Sequence, residues 1–170
     1  MLDQYALTLV LHTAKQWASS NNGAFSRFFS LDQVDRQWLL NSSDVDIQGL
    51  VSLPTSIIQV NLDEIRQKDL VGPMVMPTAE VNAIGSILGA IAENVRSNVR
   101  VGMIAWGINT QANADWLCSS SLKDRMAIAS LGKVTFSPRT PFNRVARQNQ
   151  TGTDQMANLM RILSGGKIRD

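Results

Sequence analysis

The sequence predicts a mainly α protein, a multi-helix core with a long extended basic segment before a C-terminal amphipathic helix. Three observations predict it. Apolar residues recur every three or four positions in several stretches, the spacing of one helical face. Capping residues and Gly or Pro punctuate those stretches. Between residues 133 and 153 the periodicity gives way to Pro, Gly and spaced cations. The expected division is a helical core over 1–132, an extended basic arm over 133–153, and a docking helix with its tail over 154–170.

In chain order, Leu2, Tyr5, Ala6, Leu9, Val10, Thr13 and Trp17 mark a first helix over residues 4–18, with Asp3 as candidate N-cap. Residues 19–23 break it, and Phe25, Phe28 and Phe29 supply an aromatic cluster. Ser30 and Gln33 have capping-box spacing and open a second helix buried through Leu31, Val34 and Trp38. That helix fades around residues 41–44, and residues 56–60 (SIIQV) read as a short strand. Asn61 and Glu64 again have capping-box spacing, which introduces a helical stretch ending before Gly72 and Pro73. From Pro77 and Thr78 runs the clearest helix, with Val81, Ile84, Ile87, Leu88, Ile91 and Val95 on one face. The period continues through Val99, Met103 and Trp106, although a strand over 99–108 competes with it. A further helix carries Trp116, Leu117, Leu122, Met126 and Ala129 to a stop at Gly132. After the arm, Thr153 caps a last helix whose Met156, Leu159, Met160 and Leu163 form an apolar face suited to docking on a neighbouring subunit or on its own core.

Composition narrows the chemistry. Hydrophobic residues make up 44% of the 170-residue chain and charged residues 18%, while 12 Asn and 11 Gln enrich it in amides. A single Cys (Cys118) and a single His (His12) cannot furnish a zinc ligand set, which needs about three or four such groups. No metal or other cofactor is therefore expected. Cys118 reads as a structural thiol and His12 as a boundary residue, and no phosphate-cradling glycine loop is present, so no enzyme activity is expected. The sequence begins without a basic leader, and no run reaches the roughly 18 apolar residues of a membrane span. An intracellular, soluble protein without a membrane partner is the expectation. The GSILG segment, with Gly85 and Gly89, reads as a close helix–helix contact.

Charge is divided along the chain. Residues 1–95 hold 5 Lys+Arg against 10 Asp+Glu, and residues 96–170 hold 11 against 4, so net charges of −5 and +7 lie behind the overall +2. No acidic residue falls between Arg125 and Asp154, where Lys133, Arg139, Arg144 and Arg147 are spread. Spaced guanidinium groups on an extended segment can follow a polyanion by exchanging condensed counterions for phosphate contacts. A solvated basic loop whose arginines pair with the acidic half is the competing explanation. Phe136 and Phe142, interleaved with the cations, are candidate base-stacking groups, whereas Trp17, Trp38 and Trp116 fall on apolar helical faces and read as core.

In its size, its amide-rich, low-charge composition and its basic arm over 133–153, the chain resembles the coat or nucleocapsid proteins of helical, filamentous or rod-shaped, RNA viruses. The resemblance implies a self-assembling structural protein that coats single-stranded RNA, forms homo-oligomers and resides in the virion or host cytoplasm. RNA contacts would come from Arg96, Arg100, Lys123, Arg125, Lys133, Arg139, Arg144 and Arg147, mostly to phosphate. Met156, Leu159, Met160 and Leu163 would dock neighbouring subunits. The alternative is a helical adaptor or scaffold that binds protein through its arm and last helix. A duplex-DNA regulator ranks lower, because the 113–131 stretch sets only Lys123 and Arg125 against Asp115 and Asp124.

Overall fold

The computed structural model describes residues 4–20, 23–53, 56–63 and 78–146. The chain is mainly helical, as predicted. Its elements are α1 (Gln4–Ser19), α2 (Gly23–Phe28), α3 (Gln33–Asn41), α4 (Asp44–Val51), β1 (Ile58–Leu62), α5 (Ala79–Ser97), α6 (Val99–Trp106), α7 (Gln111–Ser119), α8 (Leu122–Ser130) and β2 (Val134–Pro138). A further helical stretch occupies residues 142–146. Among the described residues, no helix is long and apolar enough to cross a membrane.

The fold is organised around α5, which packs against α1, α6, α7 and α8. Thr78 starts it by accepting the Val81 N–H at 3.3 Å. The predicted face, Val81 through Val95, is buried. Gly85 and Gly89 make the close contact with α8: a Cβ on Gly85 would lie 2.8 Å from Met126 Cγ, and one on Gly89 would lie 3.4 Å from Arg125 Nη2.

The long helical period does not run unbroken to Trp106. Asn98 leaves the helix with φ −159° and ψ 99°, and its side chain accepts the Val101 N–H at 3.1 Å, starting α6 in a new direction. Gly102 allows the crossing, since a Cβ there would sit 2.6 Å from Val95 Cα. Residues 99–106 are thus helix, and the strand alternative for 99–108 is excluded. Gly107 closes α6 at φ 69°, a conformation that favours glycine. The expected single helix through Trp116 and Ala129 likewise divides. Ser120 ends α7, and the Ser121–Asp124 capping box starts α8, satisfying donors at the new helix end.

Other local expectations change for similar reasons. Asp32, rather than Ser30, caps α3 by accepting the Asp35 N–H at 2.7 Å. The buried face of α3 is Asp35 and Leu39; Val34 is exposed and Trp38 only partly covered. Tyr5, predicted on the inner face of α1, is also exposed. The stretch read as fading after residue 41 contains α4, begun by a Ser43–Asp46 capping box. Asn61 lies in β1 rather than capping a helix, and residues 64–77 lie outside the described residues.

The expected arm is corrected most. β2 pairs antiparallel with β1, setting Ile58 opposite Pro138, Val60 opposite Phe136 and Leu62 opposite Val134. Strand alternation buries Ile58, Val60, Val134 and Phe136 and leaves Gln59, Asn61, Thr135 and Ser137 on the other face. There Asn61 Nδ2 donates to Ser137 Oγ at 2.9 Å, and Gln59 Nε2 donates to the same oxygen at 3.1 Å. Phe136 stacks on Phe29 with centroids 5.4 Å apart, and Phe142 packs on Trp38 at 5.5 Å. Asp35 Oδ1 accepts the Phe142 N–H at 2.7 Å. Residues 134–146 are therefore anchored to the core through Val134, Phe136, Phe142 and Val145, and Phe136 and Phe142 are buried side chains, not exposed stacking platforms. The rest of the expected arm, and the expected docking helix with Met156, Leu159, Met160 and Leu163, lie outside the described residues.

Candidate nucleic-acid interface

Among the described residues, the cations singled out in the sequence do not form one stripe. Arg100 and Arg139 line a common groove, Arg96 and Arg125 meet elsewhere, and Lys123, Lys133 and Arg144 line neither place; Arg147 lies outside the described residues. Lys123 and Arg144 are exposed. Lys133 is partly covered, and its backbone carbonyl accepts the Asp63 N–H at 3.1 Å.

Arg96 and Arg125 gather at the C-terminal end of α7. Arg96 Nε donates to the Cys118 carbonyl at 2.8 Å and its Nη1 pairs with Glu93, while Arg125 Nη1 donates to the Ser120 carbonyl at 2.8 Å. The last carbonyls of a helix lack intrahelical donors and carry the negative end of its dipole, so cations are favoured there. Burial, and then the neighbouring Arg96 charge, hold the Arg125 pKa below its ordinary value. Arg27, which the sequence did not single out, does the same for α8 by donating to the Ala129 and Ser130 carbonyls. Cys118 accordingly contributes a backbone carbonyl to the cluster, and burial raises its thiol pKa, away from nucleophilic use.

The groove has a volume of about 860 Å³ and runs along α6 to the end of β2. Arg139 follows the last residue of β2; its backbone N–H donates to the Ile57 carbonyl at 2.8 Å, and Nη2 donates to the Ile104 carbonyl at 2.6 Å. Gly107 gives it room, because a Cβ there would stand 3.0 Å from Arg139 Nη2 and 2.8 Å from Gln59 Cβ. Burial lowers the Arg139 pKa, but a guanidinium stays charged at neutral pH. Arg100, exposed on α6, is the second cation. The other polar lining comes from the amides Gln59, Asn109 and Gln111, and Met103 and Ile104 provide apolar surface.

Among the described residues, no carboxylate lines the groove. Among the described residues, neither Arg100 nor Arg139 forms an ion pair, and the other arginine contacts go mainly to carbonyl oxygens. A carbonyl satisfies an N–H without cancelling the net charge, so Arg139 keeps its charge at the groove despite its bond to Ile104. The sequence could have located Gln59: within SIIQV, strand alternation sends it to the face opposite Ile58 and Val60. Nothing in the linear pattern joins Arg100 to Arg139, which tertiary packing brings to one groove. Among the described residues, no group of His, Cys, Asp and Glu is arranged to hold a metal ion.

No protein-family model matches the chain, and neither the curated proteins nor the solved structures yield a match.

Proposed function

We propose that the chain is a self-assembling structural protein that coats single-stranded RNA through backbone phosphate contacts, as a viral coat or nucleocapsid subunit. The observation that carries this reading is the groove shared by Arg100 and Arg139, where none of the described lining residues is a carboxylate. Two guanidinium groups beside one concavity suit a phosphate chain, and among the described residues neither pairs with a carboxylate. Arg96, Arg125 and Arg139 each donate to a backbone carbonyl, but Arg139 also lines the groove with Arg100, so this reading puts phosphate first on Arg100 and Arg139, with the exposed Lys123 and Arg144 as peripheral charges.

Fluorescence anisotropy of a labelled 20-nucleotide single-stranded RNA, titrated with the full chain across a salt series, tests this. The double variant Arg100→Gln/Arg139→Gln is expected to bind more weakly and to lose about 1.4 from the slope of log affinity against log salt, roughly 0.7 per lost phosphate contact. An unchanged slope, or a parent chain without RNA affinity at low salt, rejects the reading. Negative-stain imaging with RNA of graded length tests assembly, with particle length expected to follow RNA length.

An adaptor function has one observation in its favour. Val101 and Ile104 are exposed apolar residues on α6, as a protein-binding face would require. A fixed small oligomer in size-exclusion chromatography, indifferent to nuclease, is the outcome that favours it.

A further inference from the structure

The groove is more elaborate than phosphate contact requires. A cationic surface that only follows a sugar-phosphate backbone needs neither concavity nor apolar lining, since its contacts are to charge alone. Here the concavity measures about 860 Å³, within the roughly 300–1,000 Å³ range of small-ligand pockets. Ile104, 65% exposed, lines it, and Met103 adds a polarizable thioether suited to an aromatic face. Amides surround this apolar surface. Gln111 Nε2 donates to Asp115 Oδ1 at 2.7 Å, and because an ionised carboxylate only accepts, this contact orients the amide and leaves its carbonyl oxygen as an acceptor.

We infer that the groove seats one nucleotide of the bound strand, with its base against Met103 and Ile104 and its phosphate on Arg100 and Arg139. The inference rests on the RNA-coating reading and deepens it, from a charged track to a site that holds one base per subunit. Cations, apolar surface and amides in one concavity match the three parts of a nucleotide, which are the phosphate, the base faces and the base edges. An acidic peptide without aromatic side chains would satisfy the two arginines but offers no planar group to Met103 and Ile104. Gly107 is part of the device, because any side chain there would collide with Gln59 and crowd Arg139.

Ile104 makes a clean probe, because its exposure means that replacing it leaves the core untouched. The experiment measures anisotropy of a labelled 12-nucleotide single-stranded RNA with the full chain and its Ile104→Ser and Ile104→Phe variants. Competitors are unlabelled RNA, an abasic ribose-phosphate 12-mer and an oligoglutamate of equal charge. Ile104→Ser is expected to lower RNA affinity about five- to tenfold with the salt slope unchanged, and Ile104→Phe to restore or raise it. The abasic competitor is expected to displace RNA poorly and to bind parent and Ile104→Ser alike. Equal affinity of parent and Ile104→Ser for RNA, or abasic or oligoglutamate competition as strong as that of RNA, overturns the base seat. Those outcomes leave phosphate-mediated coating standing when the salt slope still responds to Arg100 and Arg139. Absence of RNA binding by the parent chain overturns both.

Discussion

Replacing Phe142 with alanine tests directly whether the segment after β2 belongs to the core. Phe142 is 0% exposed, its ring packs 5.5 Å from that of Trp38, and its N–H is held by Asp35. The substitution leaves that backbone hydrogen bond in place and removes only the ring. Truncating a fully buried Phe costs about 3–5 kcal/mol, including a loss of about 0.5–1.5 kcal/mol where an aromatic pair is broken. A typical domain has roughly 5–15 kcal/mol of total stability, so a large fraction of it is at stake. With a urea dependence near 2 kcal/mol per molar, the unfolding midpoint is expected to fall by about 1.5–2.5 M. Arg144→Ala, two residues on and exposed, is the matched control and is expected to stay within about 0.5 kcal/mol of the parent. Urea titrations followed by tryptophan fluorescence and by circular dichroism provide the measurement. A midpoint drop below about 0.3 M for Phe142→Ala, or a drop matched by Arg144→Ala, refutes the placement and restores an arm that begins at residue 133.

Two further outcomes concern glycines and buried charge. Gly102→Ala is expected to lose about 1–3 kcal/mol, because the new Cβ would meet Val95 Cα at 2.6 Å and backbone cannot step aside. Gly49→Ala, with nothing within 4 Å, is expected to gain about 0.5–1 kcal/mol from reduced unfolded-state freedom, and thermal melts compare the two. Burial, the dominant cause, raises the Asp35 carboxyl pKa above its usual 3.8, so its protonated form is the one the fold favours. Stability from this group is therefore complete below pH 3.8 and is lost as pH rises through the higher folded-state value. Asp35→Asn keeps an acceptor for Phe142 without the charge, so its advantage over the parent is expected at neutral pH and shrinks toward pH 4; a pH-independent difference between them contradicts this. Asp46 and Asp124 act in the opposite sense, because capping-box hydrogen bonds to Ser43 and Ser121 lower their pKa values. Their contribution is present above pH 3.8 and fades as acid is added below it.

Where periodicity was long and caps were unambiguous, linear reading succeeded. Thr78 and the Val81–Val95 face describe α5 as it is built, and the SIIQV segment does form most of a strand. It failed where two capping signals competed or where one helical phase ran through a break. Ser30 and Asp32 both fit an N-cap two residues apart, and burial of Asp35 against Phe142 decides for Asp32. Val99, Met103 and Trp106 keep the phase of α5, so only the turn at Asn98 and the tight crossing at Gly102 reveal a second helix. The basic stretch misled because Pro and Arg look alike in a free arm and in an edge strand, and the partner strand β1 lies some seventy residues earlier. Among the candidate site residues, type was legible and grouping was not. An arginine that caps a helix from another element has the same sequence signature as one that lines a groove.

Local chemistry settled the helical class, the capped helix start at Thr78, the paucity of metal-ligating side chains and the division of charge along the chain, because each depends on neighbours within a turn or two. Tertiary packing alone decided which arginines carry structure and which share a groove. That outcome rests on contacts such as Arg139 with Ile104 and Arg96 with Cys118, whose partners lie 35 and 22 residues away. At that separation no backbone periodicity relates the two ends; only closure of the core around α5 brings them within hydrogen-bond reach.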